Sequence, residues 1–324
     1  MATTVGGTSG TGQTLPNVPI SNIGNLYLNG QRLSWTSTTS ITVGSGQCRD
    51  QSDTVDIVMG GNLYTTSNSA SGNAGQPNPV AAAAPVVVSI SSVWSATQAG
   101  LDVGTIAAST EYSVYAIGDS RGFNNGSAIL SLVAPGSTTT VGGVTFPLGP
   151  HLPLGYDCWR YIGSISVNAS SQVRKFTQTG AQALRTIWYD PGTGPSTKGV
   201  VIPSSGTAGS TTYVNVGVFT SLIPQTALEV LLNVALTPNS ANNAIFLAPA
   251  TIDNGTTATV GSVASISAAA TGSAQVETVR VPVALPNATQ QAALTIGNVV
   301  TSLYATTSAS DAVVFLLNGY VDQL

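Results

Sequence analysis

The sequence predicts an all-β protein with two antiparallel β-sandwich or jelly-roll-like domains and an extended N-terminal arm. Composition is the first observation behind this prediction. Only 7% of the 324 residues are charged, whereas an average soluble protein has roughly 25%. Ser, Thr, Asn, Gln and Gly replace the missing charges, and they suit strands and turns better than helix surfaces. The second observation is a series of short apolar segments separated by turn residues, which is typical of sandwiches and jelly rolls.

Four segments of different composition follow one another along the chain. Residues 1–25 combine Gly, Thr, Pro and Asn without periodicity and are predicted to form the extended arm. Residues 26–190 are predicted to form the first β domain. Residues 191–212 are rich in Gly, Pro and Ser, as expected for a linker. Residues 213–324 are predicted to form a C-terminal β-sandwich.

The alternation of apolar and polar residues places the individual strands. Asn29-Gly30 is a strong short-range turn signal, so residues 26–35 are predicted to form a hairpin. In residues 171–184, Gly180 and the β-branched content favour strand and loop over a short helix. The other strands are predicted at 39–44, 54–59, 86–90, 112–117, 129–133, 161–167, 186–189, 213–219, 228–236, 244–248, 258–268, 276–283, 293–296 and 312–318.

Charge and the length of the apolar stretches argue against two classes of partner. Residues 1–198 carry eight basic and eight acidic residues, and residues 199–324 carry one basic and five acidic residues. Because no basic stripe exists to contact a phosphate backbone, we expect no nucleic-acid binding. The most apolar stretches, 80–90 and 228–236, are shorter than the roughly 20 residues that span a bilayer. We therefore expect no membrane insertion.

Two features bear on the compartment in which the protein is made. The N-terminal residues include neither a basic region nor an apolar region of the kind that directs export, so we expect synthesis in a cytoplasm. Two cysteines, Cys48 and Cys158, are too few for a disulfide scaffold. The favoured interpretation is two buried free thiols, and a Cys48–Cys158 disulfide is the alternative.

Residues able to hold a metal ion or a cofactor are scarce. The only histidine, His151, lies between two prolines in GPHLPLG and is interpreted as part of a rigid loop. Asp50, Asp53 and Asp56 are spaced by three, which puts them on alternating faces of a strand, and no calcium-binding loop surrounds them. No ligands cluster at metal-binding spacings. We predict no metal and no cofactor.

One tetrapeptide has the letters of a catalytic motif. Ile117-Gly118-Asp119-Ser120 matches the nucleophile block of GDS-type esterases, but those enzymes use a C-terminal Asp-x-x-His as the general base. No histidine follows His151, so the Ser120 hydroxyl has no base to activate it. Gly118-Asp119-Ser120 is therefore interpreted as a turn. We predict that the protein is not an enzyme and has no catalytic residues.

Tryptophan side chains are the remaining candidates for ligand contacts. Trp35, Trp94, Trp159 and Trp188 could stack against a sugar ring if they were exposed. Each lies within or beside an alternating strand, and packing in the core is the favoured interpretation for each.

Four stretches carry a resemblance to a known family. The first two are 41–57, ITVGSGQCRDQSDTVDI, and 100–117, GLDVGTIAASTEYSVYAI. The third is 152–178, LPLGYDCWRYIGSISVNASSQVRKFTQ, and the last is 316–322, LLNGYVD. In order and spacing they resemble the tail-fibre and minor virion structural proteins of tailed bacteriophages and prophages.

This resemblance implies a structural component of a virion with no catalytic residues. The component would belong to an external appendage, such as a tail fibre, tail tip or collar, and would serve assembly and host attachment. A head fibre or capsid decoration protein is the alternative within the same class. The expected partners are two further copies in a homotrimer, which is the natural state for a fibre, and other virion proteins. A carbohydrate-binding adhesin that recognises a host surface glycan is the alternative from another class.

Overall fold

The computed structural model describes residues 27–60, 84–141, 144–181, 184–190, 200–201, 209–211, 214–216, 219, 222–249, 264–267, 270–272, 274–283, 302–306 and 308–324. These residues form strands, turns and loops and no helix, which confirms the all-β prediction. None of them belongs to a helix that is long and apolar enough to cross a bilayer. The predicted arm, residues 1–25, and the predicted strand at 293–296 lie outside the described residues.

The strands of the described residues are numbered in chain order. They are β1 (Leu28–Gly30), β2 (Leu33–Ser37), β3 (Ser40–Val43), β4 (Gly46–Arg49), β5 (Asp56–Val58), β6 (Val86–Val93), β7 (Ala99–Leu101), β8 (Glu111–Gly118), β9 (Ser127–Ser131), β10 (Thr138–Val141), β11 (Val144–Pro147), β12 (Cys158–Ser166), β13 (Phe176–Ala181), β14 (Leu184–Tyr189), β15 (Val200–Val201), β16 (Val214–Asn215), β17 (Ala227–Thr237), β18 (Ala244–Pro249), β19 (Ala264–Ser267), β20 (Gln275–Pro282), β21 (Ser302–Thr306) and β22 (Ala312–Gln323).

The first large sheet has seven strands in the order β12-β8-β9-β7-β6-β3-β2. Most neighbours are antiparallel, but β7 runs parallel to both β6 and β9. From Tyr112 onward β8 is buried along its whole length, because both faces of the strand carry side chains that pack inward. Such burial explains why the strand combines Val, Ala and Ile with aromatic residues.

The second large sheet has the order β13-β14-β22-β17-β20, and β15 also pairs with β22. The long strand β22 lies at its centre, with β14 on one side and β17 on the other. β13 and β14 come from the predicted first domain, whereas β17, β20 and β22 come from the predicted second one. Strands on both sides of the predicted linker thus bond within one sheet, and the division into two domains stays a prediction.

Three smaller sheets complete the described structure. Their orders are β1-β4-β5, β10-β11 and β16-β21-β18-β19. A single cluster of buried apolar side chains extends through both large sheets, with Ile41 and Val114 in the first and Val230 and Phe315 in the second. Burial of this cluster is the main stabilising contribution to the fold.

The predicted hairpin at Asn29-Gly30 is wrong. β1 pairs with β4, so that Gly30 lies opposite Gly46, and the hairpin forms instead between β2 and β3. Gly30 has a φ of 75°, and a Cβ there would lie 2.4 Å from the carbonyl oxygen of Ser45. Glycine is therefore needed for the close approach of two strands and not for a hairpin turn.

Candidate ligand-binding groove

A groove of about 460 Å³ opens beside the ends of β6 and β9. Trp94 and Tyr156 line it together with polar side chains that include Gln98, Asn125 and Ser127. Its volume lies within the range of small-molecule sites. Of the four tryptophans considered from the sequence, Trp94 is the one that lines this groove.

Trp94 and Tyr156 form an aromatic pair within the groove. Their ring centroids are 5.2 Å apart and the rings cross at 78°, which is the edge-to-face geometry that aromatic rings favour. The Trp94 indole N–H donates to Ser127 Oγ at 3.4 Å. The Tyr156 hydroxyl donates to the Asn125 carbonyl oxygen at 2.9 Å. Each ring is therefore anchored at its polar end.

A tight turn after β6 places Trp94 and Gln98 beside each other. The Trp94 backbone N–H donates to the Leu101 carbonyl oxygen at 2.7 Å. Ser95 and Gln98 exchange backbone hydrogen bonds of 2.8 and 3.2 Å. Backbone hydrogen bonds thus fix both ends of the 94–98 turn that forms this wall of the groove. Gln98 is exposed to solvent.

The opposite wall depends on a buried carboxylate. The side chain of Asp119 has no exposed surface. One of its oxygens accepts the Arg121 guanidinium N–H at 2.8 Å, and the other accepts the Asn124 amide at 2.8 Å. Asn124 in turn donates to the Gly155 carbonyl oxygen at 2.9 Å. Asp119 therefore ties the loop that carries Asn125 to the loop that carries Tyr156.

Hydrogen bonding decides the charge state of Asp119. Burial by itself would raise the pKa of this carboxyl, but hydrogen bonds from Arg121 and Asn124 outweigh burial and lower its pKa. The carboxylate thus stays ionised at neutral pH. Gly118 ends β8, and residues 119–122 form a turn in which the Gly122 N–H donates to the Asp119 carbonyl oxygen at 2.8 Å. The Ser120 hydroxyl donates to Asp157 at 2.5 Å.

The other three tryptophans lie apart from the groove, and all three are half-buried. Trp35 donates to the Val173 carbonyl oxygen at 3.4 Å and packs against the main core. Trp159 packs edge-on against Tyr115 with centroids 5.3 Å apart. Trp188 donates to a threonine hydroxyl on the neighbouring strand β13. Core packing thus covers much of the Trp35 and Trp159 side chains.

Tyr156 was not among the residues that the sequence suggested for ligand contacts, although it is an aromatic residue beside the proline-bounded loop of His151. Only the fold brings Tyr156 to Trp94, which lies 62 positions earlier in the chain. Pairings at such separations depend on how β12 and the end of β6 are placed in the sheet.

The residues considered for metal binding have other roles in the described structure. Asp50 accepts backbone N–H groups from Thr54 and Val55, each at 2.7 Å. Asp53 and Asp56 contact the Arg49 guanidinium at 3.6 and 3.3 Å. Nowhere in the described ranges do three or more His, Cys, Asp or Glu side chains come together as a metal site.

A second polar cluster lies buried where β12 faces β22. Tyr161 donates to the Asp322 carboxylate at 2.8 Å, and Ser164 lies 2.8 Å from the Tyr320 hydroxyl. Burial raises the pKa of Asp322 to about 6. Burial, and then repulsion from Asp322, raises the pKa of Glu111 to about 8 although Glu111 keeps some solvent exposure. The side chains of Tyr161, Ser164, Tyr320 and Asp322 in this cluster are all buried.

Arg185 forms a third buried polar site, where β14 meets the chain between β1 and β2. Its guanidinium donates to the carbonyl oxygens of Gly30 and Gln31 at 2.5 and 2.8 Å. The side chain is 1% exposed. Burial lowers the pKa of Arg185 to about 10, so the guanidinium stays charged and holds the two segments together.

Both cysteines are buried in the described structure and are not joined by a disulfide, as the favoured interpretation predicted. Burial raises the pKa of each thiol to about 12. At neutral pH both therefore remain protonated and unreactive.

Comparison with known protein-family models, with curated protein sequences and with solved structures found no match to this chain.

Proposed function

We propose that this protein is a structural subunit of a tailed-phage virion, placed on an external appendage such as a tail fibre, tail tip or collar. It would contribute to virion assembly and to host attachment. The observation that carries the proposal is that the four stretches resembling phage virion proteins contact one another in three dimensions.

The contacts begin within the first large sheet. Residues 100–117 and 152–178 form neighbouring strands, since β8 pairs with β12. Residues 41–57 join them through the Gln51 N–H, which donates to the Trp159 carbonyl oxygen at 2.8 Å. Three of the four stretches thus form one packed unit.

The fourth stretch, 316–322, lies in β22 and packs on this unit from the second sheet. Its Asp322 and Tyr320 bond to Tyr161 and Ser164 of 152–178. The four stretches therefore belong to one packed unit, as expected if the resemblance covers a folded domain and not separate motifs.

The surface chemistry also supports a subunit of an assembly. A face rich in neutral polar residues can be covered by a neighbouring subunit without a large desolvation cost. On β20, β17 and β22, the residues Val276, Ala235 and Val314 lie side by side in register. Val276 and Val314 are 59% and 52% exposed. A neighbouring subunit that covered this row would remove its apolar surface from water.

Electron microscopy of particles labelled with a gold-conjugated antibody to this chain tests the proposal. We expect label on tails or other external projections of particles from a lysate that contains the protein. Label on heads would replace the proposed location with a head fibre or capsid decoration. A lysate whose particles carry no label would refute the virion role.

Native mass spectrometry of the purified protein tests the expected homotrimer. The expected species has three times the 32.6 kDa mass of one chain. A monomer at micromolar concentration would contradict the trimer while leaving the location on the virion to the labelling experiment.

A further inference from the structure

We infer that the groove between Trp94 and Tyr156 is a binding site for a neutral saccharide. This site would be the part of the molecule that contacts the host in the proposed attachment role, and in this respect the inference rests on the proposed function. The aromatic pair, the polar rim of the groove and the lack of charged side chains among the described residues that line it all favour such a ligand.

The aromatic pair provides a surface for the apolar side of a sugar. A pyranose ring presents C–H groups on its faces, and aromatic rings attract such groups because their faces carry partial negative charge. Trp94 and Tyr156 are half-buried and are anchored by hydrogen bonds to Ser127 and Asn125. Because the rings are already oriented, little conformational entropy is lost on binding.

The rim supplies partners for sugar hydroxyls. Ser95, Thr97, Gln98 and Asn125 line the groove and are all exposed. Hydroxyl and amide groups both donate and accept hydrogen bonds, as sugar hydroxyls do. An apolar floor with a rim of such groups matches a sugar better than it matches a wholly apolar ligand.

Charge and size narrow the ligand class further. Among the described residues lining the groove, none is charged, whereas an anionic ligand would be recognised by Arg or Lys. The nearby Asp119 and Arg121 side chains pair with each other at 2.8 Å. A volume of about 460 Å³ accommodates about one or two sugar rings, since small-molecule sites of this size enclose drug-sized ligands.

Saturation-transfer NMR and calorimetry on the purified full-length protein test the inference. The probes are glucose, galactose, mannose, N-acetylglucosamine and their disaccharides, with glucuronic acid and choline as charged comparisons. At least one neutral sugar is expected to bind in the millimolar range or tighter, and both charged probes are expected to bind more weakly.

Two variants and a matched control assign the binding to the groove. Trp94→Phe keeps an aromatic ring in place but removes part of the stacking surface, so we expect affinity to fall about threefold to tenfold. Gln98→Ala removes one exposed rim amide, and we expect a fall of about fivefold. Trp188→Phe changes a half-exposed tryptophan outside the groove and is expected to leave affinity unchanged.

Three results would overturn the inference: no binding by any neutral sugar to the folded protein, tighter binding of a charged probe, or equal losses in Trp94→Phe and Trp188→Phe. The binding assay and the labelling of virions fail independently. Sugar binding without label on particles would retain the site and refute the virion role. Label on appendages without sugar binding would support the virion role and refute the sugar-binding site.

Discussion

Tyr161 donates a hydrogen bond of 2.8 Å to Asp322, a residue 161 positions later in the chain. The bond joins β12 of one large sheet to β22 of the other. Tyr161 also lies 3.1 Å from the Thr226 hydroxyl. Asp322 is 1% exposed, and its second oxygen has no hydrogen-bond partner among the described residues. Hydrogen bonds from Thr226 and Tyr161 and the charge of Arg185 partly offset the cost of burying this carboxylate.

Replacing Tyr161 by Phe should destabilise the protein. The change removes the hydroxyl and leaves a buried carboxylate oxygen without its donor, which costs about 1–3 kcal/mol. Urea unfolding followed by fluorescence measures the loss. Tyr156→Phe is the matched control, because its hydroxyl bonds to a backbone carbonyl in a half-exposed site, and its cost should stay below about 1 kcal/mol. Equal losses in the two variants would contradict the proposed importance of the buried bond.

Stability should rise as the pH falls from about 8 towards about 5. The folded-state pKa of Asp322 is about 6 and that of Glu111 is about 8, both above their values in an unfolded chain. The folded state then binds more protons than the unfolded state in this range, so acidification favours folding. The advantage is complete only below the unfolded-state pKa values of about 4, where the lowered pKa of Asp119 predicts a loss of stability in stronger acid.

Thermal unfolding between pH 4 and pH 9 measures this dependence. In Asp322→Asn and Glu111→Gln the rise in Tm on acidification should shrink, since each variant removes one titrating group. A wild-type Tm that falls steadily from pH 8 to pH 5 would show that neither carboxyl has a raised pKa.

Arg185→Met should unfold or severely destabilise the protein. The variant leaves the carbonyl oxygens of Gly30 and Gln31 without the donor that satisfies them, at a cost of about 2–5 kcal/mol. Arg280→Met is the control, because Arg280 is largely exposed and pairs with Glu229 at 3.4 Å; exposed pairs contribute about 0–1 kcal/mol. If Arg185→Met yields no folded protein, Arg185→Lys, which keeps the charge but fewer donors, should show an intermediate loss in urea.

Replacing Val276 and Val314 by Asp should dissociate the expected trimer. Both side chains are more than half exposed on one sheet face, so the monomer fold should tolerate the change while a subunit contact there would not. Analytical ultracentrifugation gives the readout, and Val103→Asp, at a residue that is 54% exposed and follows β7, is the control. An unchanged trimer in the double variant would exclude this face as the contact.

The two thiols should resist modification in the native state. Because Cys48 and Cys158 are buried and protonated at neutral pH, Ellman's reagent should react with neither until the protein unfolds. In urea both should react. Ser91→Cys places a thiol at an exposed position and should react at once. Rapid reaction of the unmodified protein would show that at least one thiol is accessible.

Local pattern was enough to predict the fold class and many strands. The largely apolar runs at 112–117 and 228–236 predicted β8 and β17, because strands that are covered on both faces select apolar residues at most positions. The turn interpretation of Gly118-Asp119-Ser120 was correct for Asp119 and Ser120, since turn formation depends on residues close in sequence, whereas Gly118 is the last residue of β8. Local pattern misled at Asn29-Gly30, where glycine serves the close approach of Gly46 in a strand 16 positions away.

The sequence by itself determined the low charge and predicted the all-β class and the turn at Asp119. It favoured two buried thiols and left a disulfide open. Only the tertiary structure decided that Tyr156 meets Trp94 and that Tyr161 meets Asp322. The reason is physical: strand formation follows from local side-chain alternation, whereas the order and register of strands follow from packing between distant segments. The groove and the buried polar cluster both depend on that second kind of information.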